Sequence, residues 1–189
     1  MKKLAISAAV VIMAVASQAA QFSWKTANFM VAADSSGNAI TTAAGFNTML
    51  NGGSIVAVLV DGDTFTDLGT STFKTSGSAA QKYGISGSYA FTAGASNPFS
   101  DGDIIQIMFK DSTGAYSWLK DGDGNDIVAQ YTVSGFDDYT PQNSWTGSFT
   151  FGTAGTSGSP NTFTAVPEPT SGLLMLLGMA GLALRRRRA

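Results

Sequence analysis

Residues 145–151 read WTGSFTF, and in this stretch apolar residues alternate one by one with hydroxyl residues. A period of two places successive side chains on opposite faces of a β-strand. The same alternation recurs in 85–91, 105–110 and 127–133. Residues 55–60 are continuously apolar, which is typical of a central strand covered on both faces. The chain therefore reads as a succession of strands.

Helix contributes little to this pattern, because only 39–50 and 78–83 could be helical. Turn signals rich in Gly, Asn and Asp separate the apolar segments. We predict an all-β single domain over residues 20–151, folded as an antiparallel β-sandwich or a jelly-roll-like fold. Residues 152–165, GTAGTSGSPNTFTA, offer few apolar anchors and are predicted to be a flexible Gly/Ser/Thr linker.

Composition excludes several chemistries. The chain has 189 residues and contains neither Cys nor His. Thiol nucleophiles, disulfides, imidazole bases and His- or Cys-ligated metals are therefore excluded. Residues 20–166 contain five Lys and twelve Asp, with no Arg or Glu, and so carry a formal charge of −7. Such a charge argues against nucleic acid, or an anionic membrane surface, as partner.

The N-terminus has the features of a signal peptide, predicted over residues 1–19. Two Lys precede an apolar run from Leu4 to Ala16, and small residues follow it. Ser17 and Ala19 occupy the −3 and −1 positions for a signal peptidase that cleaves after Ala19, with cleavage one residue later as the near alternative. An uncleaved anchor is the other interpretation, but the run is short for a bilayer span.

The C-terminus combines three features in order. Pro167-Glu168-Pro169 is followed by an apolar run over 172–184 and then by a basic cluster. The cluster consists of Arg185, Arg186, Arg187 and Arg188. Apolar side chains partition into lipid, while guanidinium groups are costly to move across it. We expect a short transmembrane helix that halts with its Arg cluster in the cytoplasm. At about 20 Å the run is marginal for a bilayer, which favours a transient signal over a permanent anchor.

This ordered combination resembles the PEP-CTERM sorting signal of Gram-negative bacteria, over about residues 166–189. The resemblance implies processing by exosortase, a multi-spanning membrane protease that cleaves near the motif, with the inner membrane as a transient station. It also implies release or attachment at the cell surface, often in producers of exopolysaccharide. The alternative is a membrane protein with a single span and a Pro-containing juxtamembrane segment.

Asp-Gly-Asp occurs three times, at 61–63, 101–103 and 121–123. One interpretation is solvated turns between strands. The other is a cation site, because Ca²⁺ is bound by carboxylate and carbonyl oxygens. The third triplet is the best candidate, with the oxygens of Asp121, Asp123, Asn125 and Asp126 as ligands. It departs from an EF-hand loop, since Asp126 stands where Gly is needed and Thr132 where a bidentate Glu is needed.

Nothing in the sequence resembles a nucleophile elbow, a phosphate-binding loop or a Ser/Lys dyad, and we predict that the chain is not an enzyme. Trp24, Trp118 and Trp145 are expected either in the core or on a face that stacks on a sugar ring, with Trp118 the best exposed candidate. The predicted role is a non-catalytic protein of the cell surface or of an exopolysaccharide matrix. The alternative is a calcium-assisted carbohydrate-binding module or adhesin.

Overall fold

The computed structural model describes residues 19–92, 99–136 and 145–165, and within these ranges the chain is mostly β with one short helix, α1 (Ala43–Leu50). The strands, in chain order, are β1 (Ala19–Thr26), β2 (Met30–Ala32), β3 (Ser54–Asp61), β4 (Thr64–Thr70), β5 (Thr72–Phe73), β6 (Ile85–Thr92), β7 (Ile104–Lys110), β8 (Tyr116–Ser117), β9 (Leu119–Asp121), β10 (Asp126–Ile127), β11 (Gln130–Thr132), β12 (Thr146–Phe151) and β13 (Asn161–Thr164). The all-β class is therefore confirmed.

The described strands form three sheets. Sheet I has the order β12-β1-β6-β5, and sheet II has the order β11-β7-β3-β4 with β8 paired to β7. Sheet III has the order β10-β9-β13-β2. As the continuous apolar run predicts, β3 is a central strand, with β7 on one side and β4 on the other.

Sheets I and II share one hydrophobic core. Trp24 of β1, Ile55 of β3 and Ile107 of β7 are all at most 2 % exposed and belong to one apolar cluster. Gly87 of β6 lies directly beneath the Trp24 ring, where the Cβ of any other residue would overlap the indole. The alternation that predicted the strands therefore assigned their inward faces correctly, and two sheets with one core are what a sandwich requires.

The strand directions differ from the prediction at two places. β12 pairs in parallel with β1, and β13 pairs in parallel with β2, whereas the other pairings between the described strands are antiparallel. The purely antiparallel sandwich or jelly roll is thus wrong at these pairings. Hydrophobic alternation fixes which face of a strand is buried, but it carries no information on the direction of the neighbouring strand.

The segment 127–133 also differs from its prediction as one strand. It is divided into β10, which pairs with β9 of sheet III, and β11, which pairs with β7 of sheet II. The buried residues still alternate, because Ile127, Ala129 and Val133 are each at most 8 % exposed. Between them Val128 is 66 % exposed, at the point where the chain passes from one sheet to the other.

The two helical candidates have different outcomes. Residues 43–50 form α1, whose N-cap Thr42 accepts a hydrogen bond from the N–H of Gly45 at 3.1 Å and whose C-cap Asn51 is left-handed. The ring of Phe46 anchors the helix by stacking on Phe73 at 4.6 Å between centroids. Residues 78–83, in contrast, form turns, and Tyr83 has a φ of 69°, which is incompatible with a continuing helix.

The predicted linker 152–165 is wrong in its second half, because residues 161–164 form β13. This strand lies between β2 and β9, and Phe163 is fully buried. The side-chain amide of Asn161 donates to the carbonyl oxygens of Thr153 and Ala154 at 3.1 and 3.3 Å, which ties down the preceding loop. The folded domain therefore extends to Ala165, not to residue 151.

The two predicted targeting segments, 1–19 and 166–189, lie outside the described residues, except that Ala19 is included. Ala19 is the first residue of β1, and its neighbour Ala20 is fully buried. In the ranges that the structure describes, no helix has the length and apolar character needed to cross a bilayer.

Candidate functional site

The C-terminal end of the domain is held firmly up to its last described residue. The carbonyl oxygen of Phe163 accepts a hydrogen bond from the N–H of Ala33 at 2.8 Å, and Ala165 is only 3 % exposed. Residues 166–169, which contain Pro-Glu-Pro, follow directly. Along the chain, one residue, Val166, therefore separates Pro-Glu-Pro from Ala165, the last described residue of the fold.

Three loops of the domain share one hydrogen-bonding design, at 34–38, 111–115 and 121–125. In each, one carboxylate oxygen of the first residue, an Asp, accepts the N–H groups of the third and fifth residues at 2.8–3.0 Å. In each, the backbone N–H of the Asp donates to the carbonyl of the fifth residue, and the fourth residue is a Gly with positive φ. The shared pattern is therefore Asp-x-x-Gly-x, a self-contained turn.

These hydrogen bonds stabilise the ionised carboxylates. The backbone N–H of Asn38 is the main cause of a lowered pKa at Asp34, and the hydroxyl of Thr113 has the same effect on Asp111. The backbone N–H of Asn125 lowers the pKa of Asp121. A carboxylate that accepts several hydrogen bonds in its charged form resists protonation. Such groups are unsuited to general acid catalysis near neutral pH, which needs a raised pKa.

The predicted calcium ligands serve the 121–125 loop and its flanks. One oxygen of Asp121 accepts the N–H groups of Asp123 and Asn125, and its other oxygen accepts the side-chain amide of Asn125 at 3.3 Å. Asp126 forms an ion pair with Lys120 on the neighbouring strand. Among the described residues, no three acidic side chains converge on a position for a metal ion. The hydrogen bonds of Asp121 stabilise the conformation of the loop, and calcium binding at its carboxylates stays a prediction.

The other two Asp-Gly-Asp triplets have different geometries. Gly62 and Asp63 form the two-residue connection of the β3–β4 hairpin, and Gly62 has a φ of 57°. In the second triplet, Asp101 accepts the N–H of Phe136 at 2.6 Å, and Asp103 accepts the N–H of Ser100 at 2.8 Å. The repeated tripeptide therefore does not mark a repeated site. The Asp-x-x-Gly spacing would have identified the three equivalent loops, including those of Asp34 and Asp111, which the sequence analysis missed.

Two grooves flank the 121–125 loop. One, of about 630 Å³, is lined by Asp121, Asp123 and Asp126 together with residues of the loop before β13. The other, of about 440 Å³, lies between this loop and the 34–38 loop and reaches Phe163. Both grooves are acidic at their rims, and both are lined in part by residues of β13.

A mixed polar and aromatic patch covers the outer face of sheet II. Asp67 of β4 accepts hydrogen bonds from the ammonium group of Lys110 at 2.6 Å and from the hydroxyl of Tyr116 at 2.7 Å. Burial alone would raise the pKa of Asp67, but these two donors outweigh it and lower the pKa. The Tyr116 ring lies 5.0 Å from the ring of Phe65, and both are half-buried. We call Phe65, Asp67, Lys110 and Tyr116 the outer patch.

The three tryptophans mainly pack within the fold. Trp24 is 2 % exposed, and its indole N–H donates to the hydroxyl of Ser71 at 2.9 Å. Trp145 is 8 % exposed, and its N–H donates to the carbonyl of Ser134 at 3.2 Å. Trp118, expected to be the exposed one, is half-buried between the main core and the small cluster of Val56, Val58 and Met108.

Comparison with known protein families gave one match. Residues 165–188 match the model of the PEP-CTERM protein-sorting motif. The C-terminus is a PEP-CTERM sorting motif. The resemblance seen in Pro167-Glu168-Pro169, the apolar run and the Arg cluster is thereby confirmed for this segment. The motif marks the chain as an exported exosortase substrate that is sorted at the membrane toward the cell surface.

The match covers the tail and not the β domain. Searches with the chain among curated proteins and among solved structures found no match. The PEP-CTERM motif begins at Ala165, which is also the last described residue of the fold. Sorting signal and folded passenger are therefore directly contiguous along the chain.

Proposed function

We propose that the chain is a non-catalytic protein of the cell surface or extracellular matrix, acting in an exopolysaccharide-rich layer after exosortase processing. The observation that carries the proposal is the PEP-CTERM motif at residues 165–188, directly after a β domain whose last strand pairs with two neighbours and buries Phe163. The motif supports the cell surface as the destination of the chain. The compact domain is the part of the chain that remains outside the cell.

The residues of the tail fit this route. The apolar run 172–184 enters the membrane, and the guanidinium groups of residues 185–188 stay in the cytoplasm because their transfer through lipid is costly. The membrane-embedded protease then meets Pro167-Glu168-Pro169 close to the outer surface. At the other end, signal peptidase removes residues 1–19. Both partners act only during export.

The chemistry of the domain supports a role without catalysis. The twelve Asp are its only acidic residues, and neither His nor Cys is present. Four described Asp have lowered pKa values because they accept hydrogen bonds, and three of these stabilise turns. Exposed, ionised carboxylates on a stable sheet suit a hydrated matrix, since they keep the protein soluble and repel one another at close range.

Replacement of Pro167, Glu168 and Pro169 by Ala in the native host tests the route. The triple variant should accumulate as a longer, membrane-bound precursor, while the wild type should reach the surface or the medium without residues 172–189. Mass spectrometry of both forms gives the result. Pro160→Ala is the matched control, because Pro160 is an exposed proline near the motif but within the domain. Wild-type mature protein that retains residues 172–189, or normal processing of the triple variant, would refute the proposal.

A second candidate, carbohydrate binding, is supported by the outer patch. Half-exposed aromatic rings beside a hydrogen-bonded Lys and Asp are the combination that stacks on and hydrogen-bonds to a sugar. This version needs no calcium, since the outer patch contains none of the predicted calcium ligands and Asp67 is already neutralised by Lys110. In native gels containing the host's exopolysaccharide, the mature protein should be retarded, Tyr116→Ala should lose the retardation, and Tyr116→Phe should keep most of it. Equal mobility of wild type and Tyr116→Ala would argue for a purely structural role.

A further inference from the structure

Strand β12 is an open edge of sheet I. Its neighbour β1 donates from the N–H of Gln21 to the carbonyl of Trp145 at 3.0 Å, and from the N–H of Ala27 to the carbonyl of Phe151 at 2.8 Å. In a parallel ladder, every second residue of a strand points both its N–H and its C=O group toward the same neighbouring strand. The two hydrogen bonds show that the odd-numbered residues of β12 point these backbone groups toward β1. The backbone N–H and C=O groups of Thr146, Ser148 and Thr150 therefore face away from the sheet, and no described strand pairs with them.

This edge lacks the usual protection against pairing. Natural edge strands carry charges, prolines or bulges, or are very short. Residues 145–151 contain no charge and no proline. The other described long edge strand, β4, contains Asp67 and lies beside a register shift at Ala57 and Val58. The remaining edge strands of the described sheets have two or three residues each; they are β2, β5, β8, β10 and β11.

We propose that β12 pairs antiparallel with β12 of a second copy of this chain, about a two-fold axis through Ser148. In this register Ser148 faces Ser148 of the second copy, and Thr146 faces Thr150. All three outward-facing N–H groups of each copy then donate to the outward-facing carbonyls of the other. Sheet I becomes half of a continuous sheet with the order β5-β6-β1-β12-β12-β1-β6-β5.

The side chains of β12 are self-complementary in this register. The exposed face pairs Thr with Thr and Ser with Ser, which are favourable cross-strand combinations without charge repulsion. On the opposite face, Phe149 of one copy lies across from Gly147 of the other, beside the Trp145 ring that already covers this glycine within its own chain. Phe149 is half-buried in the single chain, so the added strand would cover its remaining surface.

Electrostatics favours this strand over other surfaces as the contact. The domain carries a formal charge of −7, and two copies repel one another at most orientations. β12 carries no charged side chain, so two copies can bring the backbone groups of this edge together without direct repulsion between its side chains. The pairing is isologous, which means that the same edge of each copy forms the contact. Once two copies have paired, neither β12 edge is free for a third copy, so the assembly is a dimer and not a fibre.

Single cysteines test the register, because the natural chain contains none. In the full chain expressed in its native host and exposed to a mild oxidant, Ser148→Cys should give a disulfide-linked dimer. Thr146→Cys and Thr150→Cys should each stay monomeric alone but form a mixed disulfide when co-expressed, since only unlike positions come within bonding distance. Thr66→Cys on the β4 edge is the control. Absence of the Ser148→Cys dimer, or equal dimerisation of Thr146→Cys alone or of Thr66→Cys, would overturn the proposal.

A charge at the axis gives an independent test. Ser148→Lys places two ammonium groups opposite each other, while the exposed position leaves the single domain intact. In sedimentation of mature protein isolated from the host, wild type should dimerise, and Ser148→Lys should dissociate at least about tenfold more readily, the equivalent of 1.4 kcal/mol. Thr66→Lys, with the same charge on the other edge, should behave as wild type. A monomeric wild type, or the same dimerisation in Ser148→Lys, would contradict the pairing.

Discussion

The last two strands of the domain, β12 and β13, invite a direct comparison. Each pairs in parallel with an early strand, β12 with β1 and β13 with β2. β12 lies at a sheet edge and has a clear alternating sequence, whereas β13 lies between two neighbours and reads like a linker. A strand with a paired neighbour on each side is held extended by backbone hydrogen bonds to both. One large buried side chain, that of Phe163, is then enough to anchor β13 in the fold. Position in the sheet, more than composition, therefore decides whether such a segment folds.

The largest expected effect comes from removing β13. Deletion of residues 153–165, with 152 joined to the sorting motif, should unfold the domain, because β2 and β9 lose their shared neighbour and the buried Phe163 is removed. Circular dichroism and urea unfolding of the exported protein measure the loss. As a control, replacing Thr156, Ser157 and Ser159 by Gly in the exposed loop should leave a folded protein. A folded deletion variant would return this segment to the linker interpretation.

Phenylalanine truncations compare the two strands residue by residue. Phe163→Ala should destabilise by about 3–5 kcal/mol, as expected for a fully buried aromatic side chain. Phe149→Ala should cost about 1 kcal/mol, because this ring is only partly covered and full burial of such a side chain is worth about 1.5–3 kcal/mol. Urea midpoints of the two variants give the ranking. The reverse order would mean that β12, and not β13, carries the anchor.

Acid should distinguish the same strands with a smaller effect. The pKa values of Asp34 and Asp121 are lowered by hydrogen bonds in the folded state. Their stabilisation is therefore present above the unfolded pKa, about 3.9, and is lost as the pH falls through the folded values. Both residues border β13, and neither borders β12. As the pH falls from 6 to 3, the protection factors for hydrogen exchange, which are corrected for the slower intrinsic exchange at low pH, should fall at 161–164 before they fall at 146–151.

A matched pair of variants checks the cause of this acid response. Asp121→Asn keeps an acceptor oxygen but removes the charge, and it should weaken the pH dependence of the hydrogen-exchange protection factors in β13. Asp63→Asn, at an exposed hairpin position, should leave the dependence unchanged. If both variants respond alike, the acid effect comes from overall charge and not from the loops beside β13.

The smallest effect is expected from calcium. The loop between β9 and β10 already uses both carboxylate oxygens of Asp121, and Asp126 is paired with Lys120. The melting temperature of the mature protein should therefore be the same in millimolar Ca²⁺ and in EDTA at matched ionic strength. A rise of several degrees that Asp123→Ala abolishes would show instead that a cation reorganises this loop.

The alternation of apolar and polar residues predicted much of the fold, and the features that it did not predict have a physical reason. The buried faces of β6, β7 and β12 follow from period-two patterns, because burial acts on each side chain separately, and the central position of β3 follows from its continuous apolar run. The passage between sheets at Val128 and the two parallel pairings depend on distant segments and leave no local signature. Likewise the Asp-Gly-Asp repeats suggested a shared role, whereas the shared geometry follows Asp-x-x-Gly spacing. The sorting motif could be predicted from the sequence because all of its features lie in one continuous segment.

The parallel pairing of the two ends has a kinetic consequence for export. An exported chain emerges with its N-terminus first, so β1 and β2 reach the outside long before β12 and β13, their partners near the C-terminus. Contacts between such distant segments slow folding, because the intervening chain must be ordered before they form. The domain can close only after residue 164 has crossed, when the sorting segment is the next part of the chain to reach the membrane. Completion of the fold and arrival of the tail at the membrane thus coincide in time.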